Sequence, residues 1–215
     1  VIKRDEFGII VQHNLDHPEQ MDGGDSASRT GIMAMCGSIQ DWDLLSKFLV
    51  ETDVKKWPYL VRHPEQKKWN DPKETSRDQL ICWAAGGGSR GFYLFAIQTL
   101  IAYAESWTIN KDVLLPHVRF ALYKAARYPA PLWIRLLAKP MMTAHLIWAT
   151  KINPDDEQNQ NVCLCSIYGD EWLKRLRDWH PNLYGNLIRY WAGKPWRDQK
   201  EISEAMIKFI HGKLK

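Results

Sequence analysis

Two short stretches hold most of the residues that could do chemistry. The first, MDGGDSASRTG at 21–31, sets Asp22, Asp25 and Arg29 around a Gly-Gly bend. The second, WNDPKETSRDQ at 69–79, offers Asp71, Glu74 and Asp78 with Arg77. In each case a carboxylate stands at a predicted helix start beside an arginine. Near the positive end of a helix and Arg29, Asp25 suits a nucleophile or base better than an acid. Glycosidic cleavage then needs a second carboxyl group to serve as the proton donor, and Asp78 is the candidate. Plain helix capping by Asp25 or Ser26, and by Asp78, explains the same residues without any chemistry.

Three further groups of side chains extend this reading. His63 lies between Arg62 and Pro64, ahead of the second acidic stretch. It is a candidate general base, and β-elimination from a uronate would use it with an arginine neutralising the substrate carboxylate. Arg29, Arg77 and Arg90 are the candidates for holding an anionic substrate group. Arg90 follows the glycine run in GGGSRG (86–91), which permits either close ligand approach or a tight helix crossing. Trp57, Trp69 and Trp83 are candidate stacking faces for a sugar, drawn from a chain unusually rich in tryptophan, with eleven.

Several chemistries are excluded by spacing. The glycines form neither a phosphate P-loop nor G-x-G-x-x-G, and GDSAS is not a nucleophile elbow. The opening stretch lacks the alternating oxygen ligands and distal Glu of a calcium loop. His17, Asp22, Asp25, His63 and Asp71 are scattered rather than set at metal-ligand spacing, so neither metal nor cofactor is expected. The four cysteines contain no C-x-x-C pair and sit among apolar neighbours, as buried free thiols would.

At 215 residues, with 45% hydrophobic and 25% charged residues, the chain suits one globular domain spanning 1–215. Its net charge of +4 is uneven, with −3 over 1–30 and +5 over 171–215. That is modest for a nucleic-acid binder. No signal-like or membrane-spanning run is read, and the sequence sets neither compartment nor oligomeric state.

The elements that must position these residues read as helices almost throughout. FGIIVQ (7–12) is the one short strand. Helices are predicted from Ser26 to Cys36, over 39–52, and from Thr75–Asp78 toward Ala85, where the glycine run interrupts. Further helices are predicted over 92–106, along 114–125, over 131–149, and in three amphipathic stretches that close the chain. Irregular segments are expected at 13–25, 53–74 and 153–161. The fold class is therefore all-α, with about eight to ten helices. As an array of helical hairpins it resembles, at the level of architecture, the α/α-toroid domains of polysaccharide-processing enzymes. The leading functional expectation is a glycan-processing enzyme, a glycoside hydrolase or polysaccharide lyase, with a carbohydrate or other polar, anionic ligand. The alternative is a non-catalytic binding protein or a nucleic-acid module using Lys174, Arg175, Arg177, Arg189 and Arg197, with nucleic acid disfavoured.

Overall fold

The computed structural model describes residues 2–13, 21–52, 55–65, 76–87, 136, 140–144, 147, 158–179 and 200–213. These residues are mostly helical. Helix α1 (Ser26–Met35) ends as the sequence suggests. Gly37 adopts a left-handed φ of +102° and donates to Ala34 O, while Ser38 N–H reaches Met33 O at 3.0 Å. This paired closure satisfies the last carbonyls of the helix. Ser38 then caps α2 (Ile39–Leu44) by accepting from Asp41 N–H.

The helix expected over 39–52 stops early. A 3-10 turn covers Leu45–Phe48, and the chain continues as strand Leu49–Thr52, antiparallel to Lys55–Leu60. Val50 and Thr52 are β-branched, and Trp57 and Tyr59 are aromatic, a composition that favours a pleated surface. A second small pair joins Gln12–His13 to Met21–Asp22. In chain order these strands are β1 (Gln12–His13), β2 (Met21–Asp22), β3 (Leu49–Thr52) and β4 (Lys55–Leu60). The expectation of a single strand at 7–12 is thus corrected. Residues 5–9 turn around Gly8, whose φ is +79°, and pairing moves outward to the Arg4–Ile10 bridge and to β1.

Further helices are α3 (Arg77–Gly87), α4 (Gln158–Tyr168), α5 (Asp170–Trp179) and α6 (Lys200–Lys213), and residues 136, 140–144 and 147, within the helix predicted over 131–149, are also helical. Helix α3 continues through Gly86 to Gly87 rather than stopping at Ala85. Helix α4 takes up the end of the loop expected at 153–161. Of the stripes predicted for α5 (Trp172, Leu176, Trp179) and α6 (Ile202, Met206, Phe209, Ile210), Trp172, Leu176, Ile202, Met206 and Ile210 are buried and Phe209 is partly so. The buried ones join one core with Ile32, Phe48, Leu80 and Leu164. The segments predicted helical over 92–106, 114–125 and around 183–191 lie outside the described residues. Among the described residues, no helix is long and apolar enough to cross a membrane.

Helices α1 and α3 cross with their backbones almost touching. A Cβ on Gly31 would lie 2.3 Å from Cys82 O, and one on Gly86 would lie 2.3 Å from Gly31 O. The glycine at position 86 therefore serves the crossing. Trp83, on the same helix, is buried and donates its indole N–H to Leu45 O at 2.9 Å.

Cys36, Cys82, Cys163 and Cys165 are all free thiols; Cys36 is half-buried and the other three are buried. Burial, with Cys163 nearby, pushes the Cys36 thiol from the ordinary 9.0 up to about 12. Its proton is therefore held more tightly in the folded chain than in the unfolded one. The stabilisation is complete below about pH 9 and is lost as pH rises toward about 12. A Cys36→Ala variant has no such loss, so the melting-temperature gap between parent and variant is expected to shift against the parent across that window. Parallel melts at pH 8 and pH 11 check it.

Candidate functional site

The site is built on the start of α1, where four backbone N–H groups lack intrahelical partners. Three of them have other partners here. Ser26 donates to Gly23 O and Ala27 to Arg62 O, both at 3.0 Å, while Arg29 N–H makes the first intrahelical bond, to Asp25 O. Ser28 N–H donates to Gln79 Oε1 at 3.0 Å. Protein groups thus occupy these three donors, and this helix end is not an open anion cradle of the usual kind. Asp25 is the N-cap residue, yet its side chain makes no cap hydrogen bond. The capping expected of it is corrected by that geometry, and Ser26 Oγ does not cap either, since it donates to Ile10 O at 2.6 Å.

The Asp25 carboxylate faces a polar network instead. Gln79 Nε2 lies 3.3 Å from Oδ1, and Arg29 Nη2 lies 3.5 Å from Oδ2. Arg29 also donates to Gln12 Oε1. Gln12 Nε2 in turn donates to Asp22 Oδ2 at 3.1 Å, and Asp22 Oδ1 accepts from Gly24 N–H at 2.7 Å. Exposure separates the roles in this chain of groups. The Arg29 side chain is 2% exposed, whereas that of Asp25 is 20% exposed. Arg29 is an internal counter-ion, so its expected contact with an anionic substrate is not supported by its position. Asp25, like Asp22, is a member that solvent reaches.

His63 is buried beside Gly23, in the bend that leads to α1. Its Nε2 lies 2.8 Å from Asp5 Oδ2, and its Nδ1 accepts from Glu65 N–H at 3.1 Å. The accepting role of Nδ1 fixes the proton on Nε2, which donates to Asp5. Both ring nitrogens are committed, so the general-base role expected of His63 has no nitrogen to act through. Gly23 makes room for the ring: a Cβ there would sit 2.8 Å from His63 Cδ2. The Gly-Gly bend is therefore a matter of space at Gly23.

Asp78 lies in the first turn of α3 and accepts from Ser76 Oγ. Its neighbour Gln79 touches Asp25, so the two acidic helix starts are brought to adjoining positions across α1 and α3. Both carboxylates help push the Cys82 thiol up, after burial and the hydrogen bond with Cys163. Arg77 is buried, and Trp83 is a core residue with no face open for stacking, which corrects its expected role. Trp57 lies on β4. Trp69, Arg90, Asp71 and His17 lie outside the described residues. Among the described residues no three metal-ligating side chains gather into a group.

Gln12 and Gln79 belong to the network and Asp5 pairs with His63; the spacing of MDGGDSASRTG points to none of the three. One signal for Gln79 was present. It shares a helix stripe with Cys82, Trp83 and Gly86, at i, i+3, i+4 and i+7, where an amide among apolar and small residues needs internal partners. Compared with protein-family models, curated proteins and solved structures, the chain matches none.

Proposed function

We propose that the chain is a glycan-processing hydrolase in which Asp25 is the nucleophile or base and Asp78 the proton donor. The observation that carries this reading is the Asp25 carboxylate: partly exposed, with Arg29 and Gln79 against its two oxygens at the start of a helix. A carboxylate held this way keeps one orientation without reorganising when charge develops beside it. Cleavage adds water across the glycosidic bond, directly or through a glycosyl ester. The anomeric C–O bond breaks, and the leaving oxygen takes its proton from Asp78. The lyase variant is set aside, because it drew its base from His63, whose nitrogens serve Asp5 and Glu65. The basic C-terminal alternative gains no support from α5. There Arg175 Nε donates to Glu171 at 2.8 Å and Arg177 Nε to Asp178 at 2.9 Å, while Arg189 and Arg197 lie outside the described residues.

The test is release of new reducing ends from a panel of neutral, amino-sugar and uronic-acid polysaccharides. Asp25→Asn is expected to lower the rate on the cleaved member about a hundredfold or more. Its melting temperature should stay within about 3 °C of the parent, a small change for a domain of this size. Cleavage of no polysaccharide by the parent, or equal cleavage by Asp25→Asn, would sink the proposal. A variant that is merely unstable would place Asp25 in the scaffold.

A further inference from the structure

An aspartate at the N-cap ordinarily spends its carboxylate on the N–H two or three residues ahead. Asp25 does not. The N–H within its reach, that of Ser28, is taken by Gln79 Oε1 at 3.0 Å, from a helix 51 positions further along the chain. Gln79 is fully buried. Its amide has one workable orientation, because a flipped amide would set NH2 against the Ser28 N–H. Nε2 then faces three acceptors: Gly24 O at 3.2 Å, Asp25 Oδ1 at 3.3 Å and Ser28 Oγ at 3.4 Å. One side chain thus does two jobs: it closes the end of α1, and it holds the carboxylate that would otherwise close it.

We infer that Gln79 is a positioning residue, which caps α1 in place of Asp25 and so aims the Asp25 carboxylate away from the helix end. The functional half of this rests on the reading of Asp25 as the working carboxylate; the exchange of caps does not. Burial makes the arrangement specific. An amide with no exposed atom must have its donors and acceptor met inside the protein, and here the groups that meet them are those of the α1 start.

Hydrogen exchange at the Ser28 amide reads the cap directly, because protection reports the local closing of that bond. In the parent background, Asp25→Ala should leave Ser28 protection within about threefold, since Gln79 remains. Gln79→Leu should also leave it within about threefold, because Asp25 can turn in and take the N–H. The double variant should lose at least about tenfold. A tenfold loss in Asp25→Ala alone, or a double variant no worse than the singles, overturns the exchange of caps.

Gln79→Glu covers the case in which the leucine variant fails to fold, and it also tests the positioning role. It keeps an acceptor for Ser28 N–H but loses the donor to Asp25. Ser28 protection should hold, while kcat on the cleaved polysaccharide falls about tenfold or more with KM little changed. Unchanged kcat overturns the positioning role. If the parent cleaves nothing in the panel, the hydrolase reading fails, and the exchange measurements still decide whether Gln79 has displaced Asp25 as the cap.

Discussion

Gly31→Ala is expected to cost more than about 3 kcal/mol, beyond the usual range for overpacking, and to leave little folded protein near body temperature. The added carbon would lie 2.3 Å from Cys82 O and 2.6 Å from Trp83 N. Both are backbone atoms inside α3, so neither can rotate away as a side-chain end would. Relief requires α1 and α3 to separate, and the separation is transmitted to everything the pair holds. Trp83 would be drawn from Leu45 O, and Gln79 from Ser28 N–H. Helix propensity acts in the opposite sense, since alanine is favoured over glycine by about 1 kcal/mol, so the measured loss is the clash minus that gain. Gly212→Ala supplies the control. Gly212 lies in α6, and a Cβ added there would meet nothing within 4 Å, so the same substitution should be neutral or mildly stabilising. Urea melts of the two variants separate the cases. A Gly31→Ala chain within about 1 kcal/mol of the parent would show that the crossing is looser than its geometry implies.

The local parts of this structure were legible in the sequence because their causes are local. Ser26 to Cys36 reads as a helix from composition, and Gly37 ends it for a reason that lies in one residue's φ. The buried stripes of α5 and α6 follow directly from 3.6-residue spacing. The β3–β4 hairpin was not legible from that spacing. Trp42, Leu45, Phe48 and Leu49 fit a helical face, and what draws Leu49–Thr52 into a strand is a partner that begins at Lys55. Periodicity cannot register a pairing partner, and tertiary context overrides it.

The candidate site divides in the same way. Asp25 and Arg29, at i and i+4, were readable as a pair. Gln12, Asp5 and Gln79 reach the site from other segments, and nothing in the spacing of MDGGDSASRTG points to them. Trp83 shows the reverse difficulty. A tryptophan has the same composition whether it faces a sugar or a core, and only its place on α3, between Leu45 and the α1 crossing, assigns it to the core.

Arg29→Met is the second large effect, expected to cost about 3 kcal/mol or more. The side chain is buried, and methionine fills much of its volume, so the loss comes chiefly from what it stops satisfying. Gln12 Oε1 would lose its donor in the interior, and Asp25 Oδ2 would lose the cation beside it. An acceptor left buried without a donor carries a desolvation penalty that packing does not remove. Arg29→Lys discriminates between the two losses. An ammonium restores the charge, but its nitrogen stops one bond short of Nη2, the arginine nitrogen that serves both Gln12 and Asp25. Lysine should therefore recover only part of the stability. Combining Arg29→Met with Asp25→Asn tests the coupling: if Arg29 chiefly balances Asp25, the double variant is more stable than the sum of the singles implies. Strict additivity would mean that Arg29 serves Gln12 and the core instead. In that case Asp25 would stand beside Arg29 without depending on it, and the oriented carboxylate would rest on Gln79.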